Sequence, residues 1–116
     1  MKKEFFIAGV QFRPKEDIAK AVKEMKVGDQ LILDPEPTNR FDPNAVKILS
    51  GGGFLGYVPK KYSSKISALI SIELPIICTV EEVNPLAKTY EMIKVAVSIP
   101  IDEDEEDEEI ENEKGK

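Results

Sequence analysis

The chain has 116 residues, of which 33% are charged and 41% hydrophobic, with one cysteine, no histidine and a formal net charge of −6. This length supports one domain with a modest core. The lone Cys78 excludes an intramolecular disulfide framework and fits a reducing compartment. The lack of histidine excludes His-based acid–base chemistry and every His-containing metal site. The negative charge is concentrated at the C-terminal end: Asp102 to Glu113 hold ten acids, with Lys114 and Lys116 following. Setting these aside from the 22 acids and 16 bases leaves 12 acids against 14 bases in residues 1–101, a mildly basic balance of about +2.

No stretch reaches the roughly 18 apolar residues of a membrane span. The opening Met1-Lys2-Lys3-Glu4-Phe5-Phe6 lacks the apolar run of a secretory signal, so a cytoplasmic location away from membranes is expected. Residues 3–12 are aromatic and apolar and predict a largely buried strand, with Phe5 facing the interior. Pro14 predicts a helix start. Ile18, Val22 and Met25 recur at helical spacing to about Lys26, and Gly28 is the expected stop. Gln30–Asp34 is a short strand closed by Pro35 and Pro37. Ala45–Leu49 and Phe54–Val58 pair as a hairpin in which Gly51, Gly52 and Gly53 supply positive φ angles.

A second helix spans about Lys60–Ile70, with Tyr62, Ile66, Leu69 and Ile70 on one face. Ile76–Val83 is the next strand and encloses Cys78, which reads as a buried, inert thiol. After the turn at Asn84-Pro85, Ile93, Val95, Val97 and Ile99 alternate with Lys94, Ala96 and Ser98, the pattern of a strand with one strongly apolar face. Six strands, two short helices and no βαβ alternation predict a mainly β protein whose antiparallel sheet closes into a small barrel over residues 1–101. Residues 102–116 cannot bury a core and read as a disordered acidic tail. That tail is either a solubilising extension or a phosphate mimic that competes for a basic groove.

The segment Asn39-Arg40-Phe41-Asp42-Pro43-Asn44, followed by Gly51-Gly52-Gly53-Phe54-Leu55-Gly56-Tyr57-Val58-Pro59-Lys60, resembles the core motif of the HIRAN domain, from the strand around Phe6 to the helix ending near Ile70. The resemblance implies a modified OB-like barrel with helices on its outside. It also implies capture of the 3′ end of single-stranded DNA, with Asp42 meeting the terminal hydroxyl, Phe41 stacking on a base and Lys60 contacting phosphate. This chain departs from the pattern where the family places an arginine and a tyrosine in the first strand, here Phe5 and Phe6. It departs again at Tyr57, which stands where the family has a histidine.

The residues themselves admit that chemistry. A carboxylate repels phosphate but accepts a charge-assisted hydrogen bond from a sugar hydroxyl, so Asp42 would favour a 3′-hydroxyl over a 3′-phosphate. Phe41, with Phe6 or Tyr57, would stack on bases without reading sequence. Arg40, Lys60 and Lys61 would neutralise phosphates, and Asn39 completes the candidate set. The same residues admit a plainer reading. Asn39, Asp42 and Asn44 commonly satisfy their own turn, Phe41 alone suits a core, and a lysine pair at a helix start is ordinarily solvated.

No Walker loop, Cys/His cluster or His-dependent triad is present, so no enzymatic activity, cofactor, metal or small-molecule substrate is expected. The expected role is a non-catalytic module for nucleic acid, most specifically the 3′-hydroxyl end of single-stranded DNA, with a DNA-processing protein as a further expected partner. The alternative is a protein- or peptide-interaction module.

Overall fold

The strands and helices follow in the order β1 (Lys2–Phe6), α1 (Lys15–Glu24), β2 (Gln30–Pro35), β3 (Val46–Ser50), β4 (Gly53–Tyr57), α2 (Lys60–Ser71), β5 (Ile77–Val83) and β6 (Ile93–Ser98). Single 3-10 turns lie at Val10–Phe12 and Thr89–Glu91. The computed structural model describes residues 1–51 and 53–100, so the acidic tail and the part of Gly52 in the hairpin lie outside the described residues.

All strand pairings are antiparallel, in the order β1-β6-β5-β2-β3-β4. The sheet curls until its two edges meet. Beyond β1, Ala8 and Tyr57 exchange both backbone hydrogen bonds, at 2.9 and 2.8 Å. The result is a six-stranded antiparallel half-barrel with two helices, the mainly β architecture read from the sequence.

Strand β6 lies between β1 and β5, which explains its composition. Ile93, Val95 and Val97 are fully buried, and each such aliphatic side chain contributes roughly 1.5–3 kcal/mol of burial free energy. Ala96 is buried as well, so the alternation in β6 is less two-faced than its sequence suggests. Helix α1 adds Ile18 and Val22 to the core, Met25 follows just past its end, and α2 adds Ile66. Phe5 is buried and its ring stacks on Tyr62 of α2, with centroids 5.2 Å apart.

Three local expectations change. The strand predicted over 3–12 stops at Phe6: Gly9, at φ 75°, turns the chain into a 3-10 turn that buries Val10 and leaves Phe12 exposed. Pro14 stands just before α1 rather than as its first residue, and α1 ends at Glu24 because Met25 is already extended. Gly28, at φ 97°, therefore serves the turn into β2, where its N–H donates to Val80 at 2.8 Å. Of Gly51 and Gly53, the described glycines of the hairpin turn, only Gly51 has a positive φ, because Gly53 already belongs to β4.

A bulge shifts the β3–β4 register between Ile48, opposite Gly56, and Leu49, opposite Phe54, leaving Leu55 as the extra residue. Gly56 lies where the edge of β4 approaches the chain at Ile7 and Ala8. A Cβ there would lie 2.3 Å from the Ala8 carbonyl oxygen and 2.7 Å from Ile7 Cγ2. Gly51, by contrast, has open space around it and only its positive φ to satisfy.

Gly56→Ala is therefore expected to lower the unfolding free energy by about 2–3 kcal/mol through backbone displacement. Gly51→Ala should cost about 1 kcal/mol of conformational strain. Urea denaturation of both variants under one set of conditions checks this, and equal losses would show that the Gly56 approach is not limiting.

Candidate nucleic-acid interface

The connection between β2 and β3 is a closed loop. The Glu36 N–H donates to the Ala45 carbonyl at 2.8 Å, the Asn39 N–H to Glu36 at 3.0 Å, and the Ala45 N–H to Asp42 at 2.9 Å. Asn39 is the staple inside it. Its Oδ1 accepts from the backbone N–H groups of Phe41 (2.9 Å) and Asp42 (3.0 Å), while its Nδ2 donates to Glu36 Oε1 (2.8 Å) and Tyr57 Oη (3.4 Å). These contacts engage every polar group of the Asn39 amide in holding the turn.

Asp42 is held from two sides. Its Oδ1 accepts the Asn44 N–H at 2.9 Å, an Asx turn, and its Oδ2 accepts the hydroxyl of Ser63 on α2 at 3.2 Å. Ser63 is buried, and its hydroxyl also lies 3.3 Å from the Lys60 carbonyl, so the first turn of α2 fixes the carboxylate's position. Local turn bonding therefore does occur at Asn39 and Asp42. It uses two of the roughly four lone-pair positions of the Asp42 carboxylate and leaves capacity for an outside donor. Phe41 does not belong to the core: it is 89% exposed, at the position preceding Asp42 in the turn.

The outer face of β3 and β4 continues from this turn. The Tyr57 hydroxyl donates to Glu36 Oε1 at 2.8 Å, and Lys47 lies 3.9 Å from both Asp34 and Glu36. Hydrogen bonds from Asn39 and then Tyr57 hold the Glu36 carboxyl below its ordinary value, with Lys47 adding to the effect. Burial, followed by the bond to Glu36, pushes the Tyr57 phenol up. Tyr57 packs edge-to-face on Phe54 at 5.4 Å, and the Arg13 guanidinium sits 4.2 Å over the Phe54 ring.

Sequence reading missed Glu36, Phe54, Arg13 and Ser63. The enclosure of Glu36 between Pro35 and Pro37 was the available signal for a fixed carboxylate. Phe54 was hidden by the bulge, since strict alternation puts residues 54 and 57 on opposite faces.

Of the remaining candidates, Arg40, Lys60 and Lys61 are exposed. Lys60 and Lys61 open α2, whose first turn carries no acid, and Lys61 lies 5.4 Å from the Tyr62 ring centroid. The structure thus brings Asn39, Asp42, Tyr57 and the start of α2 together through direct contacts. Phe6 is placed differently: it is half-buried on β1 opposite Lys94, whose ammonium lies 5.7 Å from its ring centroid. Phe5, its neighbour in β1, is committed to the core.

Among the described residues no group of three or more Cys, Asp or Glu side chains is arranged to hold a metal ion, and no helix is long and apolar enough to cross a membrane. Cys78 is buried, with its thiol pushed up to about 12 by desolvation, so it stays protonated at neutral pH.

A half-barrel that carries an Asn-x-Phe-Asp turn on the first turn of a helix defines a recognisable class of small β domain. The HIRAN domain model matches residues 3–101, and the chain belongs to that family. The Fanconi-associated nuclease 1 homolog of Arabidopsis thaliana is 33% identical over 94 residues, which cover 79% of this chain and 10% of that protein. This chain thus spans about a tenth of that relative's length. The fold is shared with the crystal structure of the HIRAN domain of human HLTF, at TM-score 0.66 and 13% identity, covering 84% of this chain and 74% of that one. It is also shared with the crystal structure of a Lactobacillus plantarum protein, at TM-score 0.70 and 16% identity, covering 84% of this chain and 95% of that one.

The lowered Glu36 value has a consequence for stability. A carboxyl depressed in the folded state stabilises the fold above its ordinary value of 4.5, and that contribution is lost as the pH falls through the lower folded value. Glu36→Gln should remove about 1 kcal/mol at neutral pH and flatten the acid limb of the stability profile. Thermal melts between neutral and acidic pH check this. A parallel profile for the parent chain and Glu36→Gln would show that Glu36 does not hold the turn.

Proposed function

We propose that this domain is a non-catalytic nucleic-acid-binding module that receives the 3′-hydroxyl end of single-stranded DNA at the Phe41–Asp42 turn. The observation that carries this reading is the pairing of a free-standing ring with a fixed carboxylate: Phe41 is 89% exposed beside Asp42, whose position is set by Asn44 and Ser63. A ring so exposed gains nothing from the core and offers a stacking surface worth roughly 1–3 kcal/mol to an unstacked base. The carboxylate next to it retains acceptor capacity for a sugar hydroxyl and repels a terminal phosphate.

Lys60 and Lys61 supply positive charge at the helix start, where the backbone dipole adds to their effect, and Arg40 extends it along the turn. Asn39, Glu36 and Tyr57 act as positioning residues that keep the turn in shape. Membership in the HIRAN family and the resemblance to a Fanconi-associated nuclease homolog support a setting in DNA processing, beside a DNA-processing protein. The reading requires no cofactor, metal or small-molecule substrate.

The test is fluorescence anisotropy with oligonucleotides ending in a 3′-hydroxyl, in a 3′-phosphate, or closed into a circle. The parent chain should prefer the 3′-hydroxyl end. Asp42→Asn keeps an oxygen for the Asn44 N–H and turns an amide N–H toward Ser63, whose hydroxyl can accept it, but loses the charge. It should weaken 3′-hydroxyl binding by about 1 kcal/mol and narrow the discrimination against 3′-phosphate. Lys60→Ala should weaken both ends alike and reduce the salt slope by about one. Equal affinity for all three oligonucleotides, unchanged in Asp42→Asn, would reduce Asp42 to a turn residue.

A further inference from the structure

A groove of about 620 Å³ runs between α1, the 3-10 turn at Val10–Phe12 and the β5–β6 connection. Val10, Ile18, Val22 and Met92 contribute its apolar lining, and the lining includes no acid and no aromatic ring. Arg13, Lys15 and Lys23 supply its only charges. Lys15, Ala19 and Lys23 recur every four residues along one stripe of α1, which puts the two lysines roughly 12 Å apart with a small, exposed residue between them. Neither lysine has an ion-pair partner among the described residues. Phe12 and Tyr90, from the two 3-10 turns beside the groove, are exposed.

We propose that this groove docks an acidic, amphipathic segment of a partner protein. Aliphatic side chains of that segment enter between α1 and Met92, and its carboxylates meet Lys15 and Lys23. Charge complementarity selects the occupant: an apolar lining whose only charges are cations rewards a ligand that is apolar on one side and negative on the other. Inside the groove nucleic acid fits poorly, because Phe12 and Tyr90 stand outside its lining and base edges would lie unpaired against aliphatic side chains. Ala19 leaves room for the partner's backbone to approach, and the ten-residue α1, about 15 Å long, matches two to three turns of a helix. Arg13, held over Phe54, borders both surfaces, but Lys15, Ala19 and Lys23 take no part in the nucleic-acid reading, so the proposal does not depend on it.

The experiment is an NMR titration of the isotope-labelled full chain with a short synthetic peptide in which leucines at helical spacing are set among Asp and Glu. A twin carrying Lys in place of the acids is the control. The acidic peptide should shift the amides of Ile18, Ala19, Val22, Thr89 and Met92, and the basic twin should not. The double variant Lys15→Glu/Lys23→Glu should weaken the acidic peptide about tenfold. Ala19→Trp, a change at an exposed helix position, should abolish its binding while leaving oligonucleotide affinity unchanged. Asp42→Asn should leave peptide affinity unchanged, so failure of one site is distinguishable from failure of the other.

No shift at millimolar acidic peptide, or shifts confined to residues 39–44, would overturn the proposal. So would an oligonucleotide that shifts the groove amides in place of the peptide. A full-length variant whose ten tail acids are replaced by their amides supplies the remaining outcome. Groove amides that move in it without added peptide would assign the groove to the chain's own tail and overturn a partner segment as its occupant.

Discussion

The contact on which the architecture turns is the closure of the sheet at Ala8 and Tyr57. Two backbone hydrogen bonds join the continuation of the first strand to the end of the fourth, and they form only because residue 56 has no side chain. The space a Cβ would need is filled by the Ala8 carbonyl and Ile7. Once that edge is closed, the chain beyond Ala8 must turn away, and Gly9 supplies the left-handed step that buries Val10 and brings Arg13 over Phe54. The interior and the outer face of β4 are thus organised by one close approach.

The bulge in the β3–β4 hairpin complements this closure. By letting Leu55 stand as an extra residue pointing inward, it puts Phe54 and Tyr57 on the same outer surface. Tyr57 then reaches Glu36 and Asn39, so the hairpin holds the β2–β3 turn from outside while Ser63 holds it from the side of α2. Labour in the turn is divided. Asn39 has no polar group to spare, whereas Phe41 is free and Asp42 is fixed but not saturated. A residue that binds a ligand from a turn must be presented in one geometry, and it is the neighbours' complete satisfaction that makes this possible.

The molecule separates charge from apolar surface in two ways. Around the turn, carboxylates and cations interleave, so Lys47 is engaged by Asp34 and Glu36. Along α1 the cations border an apolar lining that includes no acid. The first pattern is the one on which the proposed nucleic-acid reading rests; the second is the one on which the proposed docking of an acidic segment rests.

Much of this was legible in the sequence. The alternation from Ile93 to Ile99, the helical spacing of Ile18, Val22 and Met25, and the glycine hairpin identified the elements, because period and turn chemistry are local properties of the chain. The Asn39–Asp42 turn could be marked as a candidate for the same reason: Asx residues and proline act on their own backbone. Other features depended on residues distant in sequence. Whether Phe41 enters the core, whether Asp42 keeps a free lone pair, and which face Phe54 takes were decided by Ser63, by a bulge and by an edge-to-edge bridge. None of these leaves a periodic trace. Local pattern selected the strands and helices; only the tertiary closure decided which side chains they bring together, because contacts across the barrel depend on register and on the space that Gly56 leaves open.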